Sequence, residues 1–553
     1  TNMFNNNNQI LNVKVNGKVV ENVHEGVKVE ELLDESTKRE TLAVKVNNQI
    51  HSIFYSLIDD SEIETISFYD EEGERIYARS LKFFFLMALH NLYDVKVEFT
   101  NKMGRDYFIR FYDFDVTAEV ISKIKKEMKR IIKSSLQVKK VKTTFECAKK
   151  IYKNMNSSEQ LDNFRIKVKE NYTFYECEGY YNYLYGLIVP NSSYIKAFDL
   201  KRYKDGIVLL LPKKDDINTV TSEIQKSKIY DEFDKFKTFA NRINISKVAD
   251  INEHVLNSTI GDIIRFSEAD HNRRLVECMS KIIKKKDVKI IFIAGPSSSG
   301  KTTFSQKLAI QLKIIGKNAI PLAMDNYFND LEDIPLKPDG SKDYETIKNM
   351  DISLFSSQIK AMLRGETVEV PEYNFNISRK EYKGRKIKLD ADDILIIEGI
   401  HALNPSVSEF IEKTKKFKIY VAPLVTLGLD NFTKVSSNDT RLIRRIVRDA
   451  DSRGRDASTT LASWSNVRHG EEENIFPFAS EADYVYNTSL IYELGVLKPF
   501  AENLLLRVDE KSKYYSDARR LYKLISNFRT IETTEVPLDS IVKEFVGKGC
   551  FYR

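Results

Sequence analysis

The chain has 553 residues, of which 30% are charged, and its Lys and Arg nearly cancel its Asp and Glu to leave a formal net charge of +6. That length exceeds what one hydrophobic core usually serves and predicts about two to four domains, while the charge balance excludes a global basic field of the kind that holds nucleic acid. Four cysteines, Cys147, Cys177, Cys278 and Cys550, stand far apart without metal-type spacing, and no apolar run reaches the roughly 18 residues that span a bilayer; free thiols, a reducing compartment and a cytoplasmic location without membrane contact are the expectation.

In chain order, an Asn-rich start over 1–8 reads as disordered. "ILNVKVNGKVVENV" alternates apolar and polar residues about Asn16-Gly17, a pair suited to a tight hairpin. A short amphipathic helix "VEELLDE" and two further strand-like runs, "LAVKVNNQI" and "IETISFYD", complete a small β-grasp unit over 9–70. Residues 71–215 mix a helix from Leu81 to Leu92, a strand "VKVEFT", a Lys-rich helix and Tyr-rich strands, an α+β pattern. Residues 229–286 have helical periodicity and few breakers, and 216–286 read as a helical connector. From 287 to 505 short apolar strands alternate with helices, which predicts a parallel, doubly wound α/β sheet. Residues 506–553 form an extension expected to pack on it.

"FIAGPSSSGKTTF" carries Gly295, Gly300, Lys301 and Thr302 in the pattern G-x-x-x-x-G-K-T, after an apolar strand and before an amphipathic helix. Glycines let successive amides of Ser297, Ser298, Ser299, Gly300 and Thr303 turn inward on phosphate, Lys301 reaches the outer phosphates and the Thr302 hydroxyl ligates Mg²⁺. The expected ligands are ATP and Mg²⁺. The alternative, a Gly/Ser loop without ligand, lacks the strand and helix that flank this one. No N-K-x-D guanine reader lies downstream of Lys301.

Asp325 follows the apolar run "AIPLAM" and Glu398 ends "ILIIE", so both fall at carboxyl ends of strands, where ligands of open α/β sheets bind. Asp325 can take the proton of an attacking hydroxyl or cap a helix; Glu398 can hold a metal-bound water, support a base or be a surface acid. "DTRLIRRIVRDADSRGRD" places Arg441, Arg444 or Arg445, and Arg448 at helical spacing, with Gly454 between Arg453 and Arg455. The segment reads as a charge-neutralising lid or as a solvated helix paired with its own aspartates.

"GPSSSGKTT", "MDNYF", "IIEGIHAL" and the arginine segment, in that order over 287–490, resemble the uridine kinase and phosphoribulokinase family. The resemblance implies an ATP-dependent kinase of a nucleoside 5′-hydroxyl, with Asp325, Lys301, Arg441 and Arg444 catalytic, and Arg448 and Arg453 on ATP. Thr302 and Glu398 would hold the metal; Tyr327, Glu345, Tyr373, Phe375, Arg379, Glu398 and Arg441 would face the nucleoside. This chain departs from the pattern at the ribose-binding Asp, where Glu345 stands, and in "PEYNFNISRKE", which lacks the base-reading His.

Residues 9–70 are similar to a TGS domain, and about 75–210 resemble the second additional domain of threonyl-tRNA synthetases, through "VNNQ", "DEEGERIYARS" and "YGLIVP". Arg79, Phe83, Leu184 and Ile188 stand where that domain carries metal ligands, so neither Zn²⁺ nor editing hydrolysis is expected there. A competing function is a nucleotide-controlled RNA- or tRNA-binding protein, resting on Lys123, Lys125, Lys126, Lys129, Arg130, Lys139, Lys140 and Lys142. A homo-oligomer is left open.

Overall fold

The computed structural model describes residues 9–161, 164, 171–221, 228–285, 287–336, 340, 342–343, 346–374 and 377–551. The expectations for 1–8, Glu345 and Phe375 lie outside the described residues. Strands β1 (Ile10–Val15) and β2 (Lys18–His24) form a hairpin whose turn puts Asn16 and Gly17 at φ 49° and 80°. With β3 (Ala43–Val46), β4 (Gln49–His51) and β5 (Ser61–Ile66) they make a five-stranded sheet in the order β2-β1-β5-β3-β4, in which β1 and β5 run parallel.

Two local expectations are corrected here. The helix predicted over "VEELLDE" is instead a 3₁₀ turn, Val29–Leu32, followed by α1 (Glu35–Glu40). Asp34 causes the break, because its side chain accepts from Thr37 N at 2.8 Å and so starts a new helix. The single strand read through "LAVKVNNQI" is a hairpin, β3 to β4, that turns at Asn47 and Asn48 with φ 46° and 63°.

Helix α2 (Glu71–Leu92) begins ten residues before the predicted start at Leu81. Gly73 permits this, since a Cβ there would lie 1.6 Å from Ser67 O. The helix packs with α3 (Ala118–Lys133) over a four-stranded sheet containing β6 (Lys96–Met103) and β7 (Asp106–Tyr112). Basic residues of α3 are partly neutralised by neighbours: Lys123 by Glu119 at 2.6 Å, Lys125 by Asp199 at 2.6 Å and Arg130 by Glu127 at 2.9 Å. A short hairpin at 212–220 then leads to helices α4 (Lys228–Arg242), α5 (Val248–Leu256) and α6 (Ile260–Lys284).

The second half is built on five parallel strands, β8 (Ile290–Ala294), β9 (Asn318–Ala323), β10 (Asp393–Glu398), β11 (Lys416–Ala422) and β12 (Tyr484–Asn487), in the order β9-β10-β8-β11-β12. Every residue of β8 is buried, and they alternate between two cores: Ile291 and Ile293 in one, Ile290, Phe292 and Ala294 in the other. Pro321 is tolerated because β9 is an edge strand, where a missing N–H breaks no ladder. Parallel strands align their carboxyl ends, so residues following β8, β9 and β10 meet along one edge. Around the sheet lie α7 (Lys301–Ile314), α8 (Ser437–Arg453), α9 (Ala457–Asn474) and α10 (Glu493–Leu506). Helices α11 (Tyr515–Ile525) and α12 (Lys543–Val546) follow, and Leu521, Ile541, Val542 and Phe545 join the same core as Phe304 and Leu308 of α7. Among the described residues no helix is long and apolar enough to cross a membrane.

A buried carboxylate is one of the links between the halves. Glu98 of β6 meets Lys434 at 2.6 Å and also Lys237 of α4, while Phe99 N donates to Asn431 O at 2.9 Å. Burial alone would raise the carboxyl's pKa, but Lys434 and Lys237 together hold it far below the ordinary carboxylate range. A depressed native pKa adds stability above the unfolded value, near 4.3, and loses it as pH falls further. Glu98→Gln should therefore cost about 3–5 kcal/mol at neutral pH, the usual penalty for stranding buried charge. Denaturant midpoints should show the gap to wild type closing below about pH 4.

Candidate active site

The turn between β8 and α7 is shaped by backbone that few side chains tolerate. Ser298 and Gly300 adopt φ 57° and 88°, and a Cβ on Gly295 would lie 2.0 Å from Val421 O. Such a succession of amides makes an anion-binding concavity at a helix N-terminus. Ser298 Oγ and Ser299 Oγ are buried and have no hydrogen-bond partner among the described residues. Lys301 folds back onto the carbonyls of Gly295 (2.8 Å) and Pro296 (3.2 Å). Thr302 is exposed, its hydroxyl 3.5 Å from Glu398 Oε1, and Ser305 Oγ approaches Glu398 Oε2 at 3.3 Å. These features fit a triphosphate with its cation: unsatisfied hydroxyls and turned-in amides for phosphate, one hydroxyl and one carboxylate for metal.

Asp325 stands two residues beyond β9 in the 3₁₀ turn Met324–Tyr327, whose cap position is Ala323, so it is not the helix cap that its sequence position also allowed. It is half-buried, and burial raises its pKa against the opposing pull of Lys301. Burial likewise raises Glu398, with Lys301 again opposing and Glu544 and Asp325 adding to the rise. Burial lowers the Lys301 pKa, while Glu398, Glu544, Glu471 and Asp325 pull it back up. One ammonium thus sits within the field of four carboxylates.

Arg441, Arg444 and Arg445 of the arginine segment do not stand free as lid residues would. Helix α8 is buried on several sides, with Leu442, Ile443, Ile446 and Val447 in the core, and its arginines grip the 297–298 backbone from behind. Arg441, 2% exposed, donates through Nε to Ser297 O at 2.9 Å and pairs with Glu471, which also accepts from Ser297 N at 2.8 Å. Arg444 has no exposure; it pairs with Glu493 at 2.7 Å, and donates to Ser298 O at 3.3 Å and Thr488 O at 2.9 Å. Arg445 donates to Ser297 Oγ at 2.6 Å. Arg448 and Arg453 gather on Asp449, at 3.0 and 3.4 Å, and Gly454 ends the helix at φ 60°.

Of the residues read as facing substrate, Tyr327 is displaced: it is fully buried, donates to Gln358 Oε1 at 2.7 Å and packs edge-on against Phe355. Tyr373 lies on a hairpin against the Asp325 turn, its hydroxyl donating to Asn329 O at 3.0 Å and its N–H to Asn326 Oδ1 at 3.2 Å. Arg379, on the same hairpin, is exposed and paired with Glu332. The structure therefore brings together Gly295 to Thr303, Asp325, Glu398 and Arg441, and leaves Tyr327 outside. Glu471, Glu493 and Glu544 are contacts that sequence reading missed; each lies 30 or more residues from its partner, with no local pattern to tie the two together.

Residues 290–489 match the phosphoribulokinase/uridine kinase family. A uridine kinase of Halobacterium salinarum is 29% identical over 196 residues, covering 35% of this chain and 78% of that protein. One from Staphylococcus epidermidis is 31% identical over 198 residues, 35% of this chain and 86% of its own length.

Arginines that hold a loop from behind and arginines that close over a ligand behave differently when removed. Arg444→Met strands Glu493 in the core and should cost about 3–5 kcal/mol of stability. Arg453→Ala, at a half-exposed pair, should cost less than about 1 kcal/mol. Urea midpoints of both variants check this; an unchanged midpoint in Arg444→Met would return that residue to a lid role.

Proposed function

The chain belongs to the phosphoribulokinase/uridine kinase family and is an ATP-dependent phosphotransferase; we propose that its acceptor is the 5′-hydroxyl of a nucleoside. The observation that carries this reading is Asp325, half-buried at the sheet edge and within the electrostatic reach of Lys301. In this reading the amides of the turn between Ser298 and Thr302 and the Lys301 ammonium hold the triphosphate and offset charge as the γ-phosphoryl group moves. Thr302 and Glu398 would hold Mg²⁺, which when bound neutralises phosphate charge. Asp325 accepts the proton of the 5′-hydroxyl; burial raises its pKa, which makes its carboxylate a better base than an exposed one. Arg441 and Arg444 act through the loop they brace, as positioning residues.

The base is left unassigned, because the segment around Tyr373 and Arg379 lacks the histidine of the pyrimidine kinases it resembles, and a hydrogen-bonding group supplies most discrimination where it exists. We assign 9–70 as a TGS-like β-grasp unit, 71–215 as a synthetase-like α+β unit, 216–286 as connector, 287–505 as the kinase and 506–553 as an extension packed on it. Pairing of Lys123 with Glu119 and of Lys125 with Asp199 weakens the case for an RNA surface there.

Asp325→Asn should lower kcat by about 10² or more in a coupled ADP-release assay, with ATP affinity retained. A screen of ribo- and deoxyribonucleosides in the same assay should find at least one acceptor. ADP release only with a phosphorylated sugar would overturn the nucleoside assignment, and normal turnover by the Asn variant would remove Asp325 as base.

A further inference from the structure

Three successive carbonyls of the phosphate turn are held from behind. Arg441 donates to Ser297 O at 2.9 Å and Arg444 to Ser298 O at 3.3 Å. The next, Ser299 O, accepts from the hydroxyl of Thr488, just beyond the end of β12. Thr488 has no solvent exposure, and its Cβ and Cγ2 each lie 3.6 Å from where a Gly300 Cβ would stand. A trans peptide is planar, with its C=O and N–H on opposite sides, and no peptide among the described residues is cis. A carbonyl tied from below therefore turns the N–H of the same peptide upward. The peptide that Arg444 holds uses its N–H inside the turn, Ser299 N donating to Pro296 O at 3.2 Å. The peptide that Thr488 holds carries the N–H of Gly300.

We propose that Thr488 is a positioning residue for the phosphoryl donor: its hydroxyl fixes the 299–300 peptide so that the Gly300 amide faces bound phosphate, and helix α6 supplies the seat that keeps it there. This deepens the kinase reading above and rests on it. The seat grips the backbone at 488 and on both sides of it. Thr488 N donates to Ala422 O at 3.0 Å, and Thr488 O accepts from Arg444 at 2.9 Å. On one side Arg274 of α6 donates to Asn487 O at 2.5 Å, and on the other His271 of α6 donates through Nε2 to Ser489 O at 3.0 Å. Burial pushes the His271 pKa well below its ordinary value, so the ring is neutral, and the tautomer that serves a carbonyl carries its proton on Nε2. Tyr486 and Tyr484 return the grip, their hydroxyls donating to His271 O at 3.0 Å and Arg274 O at 3.2 Å. The Asn487 side chain accepts from Leu424 N at 2.8 Å and donates to Leu424 O at 3.0 Å, which ties the same stretch to the chain leaving β11. Helix α6 precedes the stretch that matches the family, so part of the support for the phosphate turn comes from outside it.

The test compares the full chain with Thr488→Val, which keeps the shape and removes the hydroxyl, and Thr488→Ser, which keeps the hydroxyl and removes a methyl. In calorimetric titration with a non-hydrolysable ATP analogue and Mg²⁺, Thr488→Val should bind about tenfold more weakly than wild type, the scale of one misdirected hydrogen bond to a charged group, and Thr488→Ser within about threefold of it. In coupled turnover the loss in Thr488→Val should fall on KM for ATP more than on KM for the acceptor, a split that loss of packing alone does not produce. Thr488→Ala takes the place of Thr488→Val in the same comparison should the Val chain fail to fold. Wild-type affinity in Thr488→Val with only a lowered urea midpoint would overturn the proposal and leave Thr488 a core residue, and so would a Thr488→Ser chain as weak as Thr488→Val. Absence of binding by the wild-type chain would instead bring down the kinase reading, and this inference with it.

Discussion

Two guanidinium groups, one without solvent exposure and the other nearly so, clamp the turn between β8 and α7 against two buried carboxylates, and the geometry of the site hangs on that clamp. Left alone, a turn with Ser298 and Gly300 in left-handed backbone would sample many shapes. Arg441 and Arg444 tie its carbonyls at 297 and 298 to Glu471 and Glu493, which belong to α9 and α10. Desolvating such pairs is costly, so their value lies less in net stability than in fixing one conformation. An anion then meets a turn already ordered, and little binding energy is spent on arranging it.

A second cluster of charge decides how the front half sits. Glu98 draws together β6, α4 and the turn around Lys434, three stretches far apart in sequence. Beside it, Lys82 of α2 lies 3.7 Å from the Tyr107 ring centroid and donates to Phe432 O at 3.3 Å, and the Phe432 ring packs edge-on to Phe99. The C-terminal extension adds a further link, with Lys45 donating to Lys513 O at 2.7 Å and Asn48 to Glu510 O at 3.1 Å. The front half is therefore fastened to the second half at several points rather than strung from it.

What the sequence made legible was whatever depends on neighbours in the chain. The strands β8 and β10 show as unbroken apolar runs because they are buried on both faces, and the phosphate turn shows because its glycines, lysine and threonine are contiguous. Asp325 and Glu398 follow from strand ends alone. The arginines of α8 illustrate the limit: spacing of three and four residues defines a face, and that face looks the same whether it meets water or the back of a loop. Only Leu442, Ile443, Ile446 and Val447, buried on the remaining surface, separate the two. Tyr327 was misread for a geometric reason. A 3₁₀ turn advances about 120° per residue, so residues two apart cannot share the side on which Asp325 lies.

The family resemblance spans 290–489, yet the apolar core around Ile291, Ile293 and Phe304 draws Phe236, Ile251, Ile264 and Cys278 from before that stretch and Leu521, Ile531 and Phe545 from after it. Trimming the chain to the recognisable portion would leave one flank of the central sheet facing water across surface that these side chains now cover. The smallest autonomous folding unit is thus larger than the catalytic signature that identifies it, and flanks that carry no family motif are scaffold on which that signature stands.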